Sequence, residues 1–377
     1  MFHGNSIMKI AIVTLPLHSN YGGILQAYAL QTILERMGHK VTVIDRKRKL
    51  KPDVSITVRA KRFILKWILK QDIKPLYEIQ KYKKDKVINK KTWEFIDKYI
   101  NRRGIKSFDE IKQKDYDAFI VGSDQVWRYP YFVGSFKTRI SSAFLYFAKN
   151  WNVRKISYAA SFGTAKWEYP DEDTVICSEC LSRFSAVSVR EKEGLLLLSN
   201  YLKFKDGKVC LDPTLLLDEK DYLSLMNNCK SSHSKLFVYF LDYDVDKYDL
   251  VKKISGEKDL TPFEFYNRNV SKKSVVASPS LQEWLQCLYN SDFIVTDSFH
   301  ACVFSIIFKK PFIVFGNRER GISRYQSLLH LLGLEDRLIF KSSEYETNKI
   351  YSNILLASEK IKSIRNESYA FLEKALS

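Results

Sequence analysis

A short apolar strand, a glycine-bearing turn, an amphipathic helix and a second strand follow one another over residues 9–46, and this succession restricts the fold more than any other feature. KIAIVTL (9–15) is an apolar run, ILQAYALQTILERMG (24–38) repeats apolar residues at helical spacing and stops on Gly38, and KVTVIDR (40–46) is extended again. Two strands joined through a helix lie parallel, and the crossover is right-handed in nearly every case. Further strands are predicted at DAFIVGS (117–123), KISYAASFG (155–163), AVSVRE (186–191) and KVCLDPTLLL (208–217).

After the polar run NNCKSSHSK (227–235) the pattern restarts. KLFVYFL, FEFYN, VVAS, FIVTDS and PFIVFG read as strands, SLQEWLQCLYNS and HACVFSIIF as helices between the later ones, and residues 347–376 as one or two C-terminal helices. A chain of 377 residues exceeds what one core comfortably serves. The expectation is an α/β protein with two Rossmann-like, doubly wound domains facing a central cleft. The first covers 8–220 with a basic helical insert at 47–114, the second covers 235–346, and helices at 347–377 follow. In such sheets ligands sit outside the C-terminal strand ends, where helix N-termini present free N–H groups to anions.

Five strand-end motifs follow from that rule. HSNYGGILQAYAL (18–30) places Asn20, Tyr21, Gly22 and Gly23 before a helix, as a tight turn or as a backbone surface for a sugar or phosphate. FIVGSDQVW (119–127) ends in Ser123 and Asp124, with Trp127 as an apolar face for a sugar ring; Asp124 is either a general base on a hydroxyl or a helix N-cap. In SVREKEG (188–194), Arg190 is a two-pronged anion ligand or the ion-pair partner of Glu191 or Glu193. FIVTDSFHACVFSIIF (293–308) is the most informative: Ser298 is a good N-cap, and His300 falls in the first turn of an apolar helix, beside N–H groups that attract anions. The bland alternative is a neutral His300 bonded to backbone. GNRERGISRYQSLL (316–329) gathers Arg318, Arg320 and Arg324 around one loop, and repulsion among them is relieved by an anion or an acid, of which Glu319 is the only one nearby in sequence, so at least one arginine is expected to face a ligand.

The net charge of +18 is concentrated: residues 46–114 hold 23 Lys or Arg against 8 Asp or Glu. With Phe63, Trp67, Tyr77, Tyr82, Trp93 and Tyr99 interleaved, this segment suits either an anionic membrane surface or a solvated helical face; no nucleic-acid motif accompanies it. Six cysteines in a chain this long read as free thiols, with Cys177 and Cys180 as two buried cysteines of one helix rather than half a metal site. No run is long and apolar enough to span a bilayer, so a cytoplasmic protein is expected.

Taken in order, KIAIVTLPLHSNYGGILQAYALQ, GSDQVW, SYAASFG, SVREKEG, LDPTLLL and TDSFHACVFSIIFKKPFIVFGNRERGISRYQSLLHLLGL resemble the polysaccharide pyruvyl transferases. The resemblance covers most of the chain and is weakest in the basic insert. It implies a GT-B-like fold, phosphoenolpyruvate as donor with no resident cofactor or metal, and a saccharide acceptor, commonly carried on a lipid diphosphate at the inner membrane face. It also implies that His300 stands near phosphoenolpyruvate and that Arg190 meets its anionic groups; because ketal transfer needs a proton at the methylene carbon, His300 is then read as the acid. Many members have Arg-Leu-His where this chain has Ser298-Phe299-His300; Arg318 or Arg324 then supplies the missing cation. A nucleotide-sugar glycosyltransferase of the same architecture is the alternative.

Overall fold

A computed structural model describes residues 6–47, 55–68, 70, 76–226, 236–265, 277–317, 321–349 and 353–377. The first unit contains strands β1 (Lys9–Val13), β2 (Lys40–Arg46), β3 (Arg102–Ile105), β4 (Ala118–Val121), β5 (Arg154–Ala160), β6 (Ala186–Val189) and β7 (Lys208–Val209). All seven are parallel, in the order β3-β2-β1-β4-β5-β6-β7. Its helices are α1 (Tyr21–Arg36), α2 (Ile56–Trp67), α3 (Tyr77–Ile88), α4 (Lys90–Tyr99), α5 (Tyr129–Phe136), α6 (Asp171–Leu181), α7 (Lys192–Leu202) and α8 (Glu219–Leu225). The second unit runs β8 (Leu236–Tyr239), α9 (Val245–Lys258), β9 (Pro262–Glu264), α10 (Leu281–Asn290), β10 (Phe293–Thr296), α11 (Phe299–Ile307), β11 (Phe312–Phe315), α12 (Ile322–Leu332) and β12 (Leu338–Ile339). Its sheet is also parallel, ordered β12-β11-β10-β8-β9. This is the two-unit, Rossmann-like architecture of the GT-B type.

Strands buried on both faces account for the continuous apolar runs in the sequence. Ile10 and Ile12 of β1 join one core cluster while Ala11 and Val13 join another, and β4 divides Ala118 and Ile120 from Phe119 and Val121 in the same way. The first of these clusters also takes Phe237 and Tyr239 of β8, Ile294 of β10, and Phe312 and Val314 of β11. One apolar core is therefore shared by the facing sides of both units. The last helix, α13 (Ile354–Leu376), packs back onto the first unit: Ser368 Oγ accepts from the Leu211 N–H (3.1 Å), and Arg365 donates to the Leu215 carbonyl (2.8 Å).

Several expectations are corrected. The span 47–114 is not purely a helical insert, because β3 lies within it and extends the sheet beyond β2. RRGI reads poorly as a strand, but at a sheet edge its arginines point to acids: Arg102 to Asp97 (2.9 Å) and Arg103 to Asp115 (2.7 Å). Of KVCLDPTLLL only Lys208–Val209 is extended, and the rest turns through a 3-10 segment at Pro213–Leu215. VVAS forms no strand over its described residues 277–278; residues 275–276, like the 227–235 run, lie outside them. The basic segment is also not one surface. Phe95 is core, Trp93 and Tyr99 pack against it, and Lys91 pairs with Glu283 of α10 (2.8 Å), whereas α2 buries no residue. Cys177 and Cys180 are buried on α6, while Cys229 lies outside the described residues.

Candidate functional site

In each sheet the strand order reverses once, between β1 and β4 in the first and between β8 and β10 in the second. The loop after β1 and the turn into α11 after β10 meet. The Gly22 backbone lies close against the His300 side chain, and a Cβ built on Gly22 would stand 2.1 Å from His300 Cγ and Nδ1. Only glycine allows that approach. Beside it, Gly23 donates its N–H to Asn20 Oδ1 (3.2 Å) and passes close to the Asp124 carboxylate.

The turn after β4 aims Asp124. Gly122 has φ +127°, and a Cβ there would lie 2.1 Å from the Tyr158 carbonyl oxygen. Ser123 is tied on three sides: its N–H donates to Gln26 Oε1 (3.0 Å), its hydroxyl donates to the Ala159 carbonyl (2.9 Å), and its carbonyl accepts from Thr14 Oγ1 (3.2 Å). Asp124 is buried and does not cap α5, whose N-cap is Arg128. Its Oδ1 instead stands 3.5 Å from Arg190 Nη2.

Arg190 follows β6 and pairs with neither Glu191 nor Glu193. Its Nη1 donates to Asp212 Oδ2 (2.7 Å), and its guanidinium lies 4.7 Å from the centre of the Phe299 ring. Glu191 braces another loop, accepting from the Ser161 hydroxyl (2.8 Å) and the Phe162 N–H (3.0 Å). His300 Nε2 lies 3.6 Å from the same Asp212 Oδ2, so groups from the two units converge on one carboxylate oxygen. Asp212 went unread in the sequence because LDPT resembled the continuation of a strand. The available signal was an acid before Pro-Thr just after a strand, where it caps a short turn by accepting from the Thr214 N–H (3.0 Å).

Arg324, in the first turn of α12, reaches the same ring: its guanidinium is 5.1 Å from the Phe299 centre, and its Nε donates to the Gly321 carbonyl (3.3 Å). No carboxylate among the described residues pairs with it. Arg318 and Arg320 lie outside the described residues. Ser298 caps α11, its Oγ accepting from the Ala301 N–H.

Three proposed acceptor contacts are corrected. Trp127 has no exposed surface; it stacks on Phe144 at 4.8 Å and donates its indole N–H to the Ala143 carbonyl (3.1 Å), which makes it core. Tyr21 is buried between the units, against Trp284 and Phe265, with its hydroxyl donating to the Pro279 carbonyl. Ser123, equally buried, supports the turn rather than facing a ligand.

The electrostatics leave Arg324 as the cation short of counter-charge. Burial alone would lower Arg190, but Asp212, Asp124 and Glu191 outweigh it and hold the guanidinium firmly charged. Burial and then the neighbouring Arg190 charge both push Arg324 down. Burial would raise the Asp212 carboxyl, yet His300, Arg190 and the Thr214 hydroxyl hold it well below the usual carboxylate range. Arg190 Nε and Nη2 and His300 Nε2 are buried without a hydrogen-bond partner among the described residues. Two guanidiniums near one aromatic ring, with unused N–H groups, suit a ligand bearing carboxylate or phosphate.

Fold and site thus define a two-domain α/β protein in which Asp124, Arg190, Asp212, His300 and Arg324 come together, buried, where the strand order of the two sheets reverses. The chain belongs to the polysaccharide pyruvyl transferase family, whose model matches residues 20–319, and it is therefore a transferase. No curated protein matches it. Among solved structures it is similar to the glycotransferase of kitacinnamycin, at 11% identity and TM-score 0.43, covering 98% of this chain and 96% of that one. It is similar to the UDP-GlcNAc 2-epimerase of Neisseria meningitidis bound to UDP-GlcNAc, at 10% identity and TM-score 0.47, covering 98% and 99%. It is also similar to Arabidopsis thaliana UGT89C1 complexed with UDP-L-rhamnose, at 10% identity and TM-score 0.47, covering 99% of each.

Proposed function

We propose that the protein moves the enolpyruvyl group of phosphoenolpyruvate onto two hydroxyls of a saccharide, forming a pyruvate ketal. The observation that carries this reading is the pairing of Arg190 and Arg324 around Phe299 beside His300. Phosphoenolpyruvate carries two anionic groups, and ketal transfer needs both held while the carbon between them reacts. A proton adds to the methylene carbon, one hydroxyl bonds to the neighbouring carbon, phosphate leaves with the C–O electron pair, and the second hydroxyl closes the ketal. Of the two hydroxyl protons, one balances the proton delivered to carbon and the other leaves on phosphate. His300 delivers the proton, Asp124 accepts one from a hydroxyl, and Arg190 and Arg324 hold the anions, with Arg318 and Ser298 as further donor contacts. Asn20 and Gly23 face the acceptor.

On this reading no resident metal takes part, and turnover survives chelation. The acceptor is a cell-surface glycan precursor on a lipid diphosphate, which brings the protein to the inner face of the cytoplasmic membrane. Among the described residues no helix is long and apolar enough to cross it. Release of inorganic phosphate from phosphoenolpyruvate in the presence of such a glycan tests the reading. Release of a nucleoside diphosphate from a nucleotide sugar, with no phosphate from phosphoenolpyruvate, establishes the glycosyltransferase alternative.

Two further results are expected. Gly22→Ala drives a methyl group into the His300 ring and displaces it, lowering kcat by about 10²-fold in a steady-state phosphate-release assay. Phosphoenolpyruvate at a hundred times its dissociation constant stabilises the wild type by about 2.7 kcal/mol. In Arg324→Gln the thermal shift at the same concentration is markedly smaller, because one of two cations is gone; an undiminished shift places the donor elsewhere.

A further inference from the structure

α2 turns its apolar face away from the protein. Arg62 and Leu65 are its only partly covered residues, Arg62 pairing with Glu78 of α3 at 2.7 Å, so this side packs inward. The opposite side carries Ile56, Ala60, Phe63, Ile64, Trp67 and Ile68 at helical spacing. Trp67 and Ile68 are each 70% exposed and Ile64 is 51% exposed. Between Ser55 and Lys70 stand five cations, Arg59, Lys61, Arg62, Lys66 and Lys70, and no acid.

We propose that α2 lies in the plane of an anionic membrane surface, its Phe63–Trp67 side at the acyl boundary and its flanking Arg59, Lys61 and Lys66 on lipid phosphates. Charge decides against other occupants. A second copy docked face to face would bring two all-basic helices together with no acid on either to offset them. A nucleic acid would engage the cations and leave the isoleucines, Phe63 and Trp67 in water. The placement also serves the active cleft. α2 follows β2 at the C-terminal edge of the first sheet, and α3 is tied to the loop after β1 by His18 and Asp85 (3.3 Å), two residues before Asn20. Through α3, α2 is thereby tied to the turn that carries Asn20. This extends the lipid-carried acceptor proposed above, but vesicle binding is measured without turnover, so the two can fail separately.

The test is co-sedimentation at low ionic strength with vesicles of phosphatidylglycerol and phosphatidylethanolamine, compared with vesicles of phosphatidylcholine. The wild type is expected to pellet with the first and not the second. Phe63→Ser/Trp67→Ser and Lys61→Glu/Lys66→Glu each lower the partition coefficient by about ten-fold or more. Both variants keep the wild-type thermal midpoint and the wild-type rate on a soluble acceptor, because none of the four residues is buried. Pelleting with both vesicle types, pelleting with neither, or undiminished pelleting of the Phe63/Trp67 variant overturns the proposal. So does light scattering that shows a wild-type dimer broken by that variant.

Discussion

His300→Ala is expected to lower kcat for ketal formation by about 10²–10⁴-fold, the usual contribution of a positioned acid. The KM for phosphoenolpyruvate should change by only a few fold, because Arg190 and Arg324 remain to hold its charges. The ring sits in the first turn of α11 with Gly22 on one side and Asp212 3.6 Å from Nε2, so alanine removes the proton donor and opens the packing together. His300→Gln separates these effects: it restores much of the bulk without the acid, and its kcat should remain near that of alanine. Steady-state phosphate release, with thermal unfolding to confirm that both variants fold, gives the comparison. Near-normal kcat in either variant removes His300 from the chemistry.

Asp212→Asn should cost about 3–5 kcal/mol of stability, since it leaves the buried Arg190 guanidinium without its closest counter-charge. A carboxylate depressed on folding contributes stability that is fully present above its unfolded pKa, about 3.9, and is lost as pH falls toward the lower native value. Wild-type stability should therefore drop as pH is lowered below about 4, and the asparagine variant should lack that part of the slope. Urea unfolding at a series of pH values measures both. Because Asp212 acts on His300 and Arg190 rather than on substrate, its loss should also raise the KM for phosphoenolpyruvate as Arg190 loosens; a purely structural role would leave KM unchanged in the folded fraction.

Much of the fold was legible because both sheets bury both strand faces: β2 was read at its full length, and β4, β10 and β11 stood out as unbroken apolar runs. β3 and β12 were missed for the opposite reason. Edge strands of four and two residues need little apolar surface, and in β3 cations occupy it. At the site, the strand-end rule located His300, Arg190, Arg324 and Asp124 without showing which would touch. Contacts such as Gly22 with His300 and Arg190 with Asp212 join distant segments, and only the two packed sheets bring them together. Trp127 shows the limit of residue type. An aromatic just past a strand end can serve a ligand or fill the core, and the choice depended on Phe144 and the Ala143 carbonyl lying within reach.

The most direct test is mass spectrometry of lipid-linked glycans incubated with the protein and phosphoenolpyruvate labelled with carbon-13 at all its carbons. A glycan that gains the labelled three-carbon unit as a ketal, with phosphate released in equal amount by the wild type and little by His300→Ala, is the predicted result. Transfer of a sugar from a nucleotide sugar to the same glycans, with no label incorporated from phosphoenolpyruvate, would contradict it.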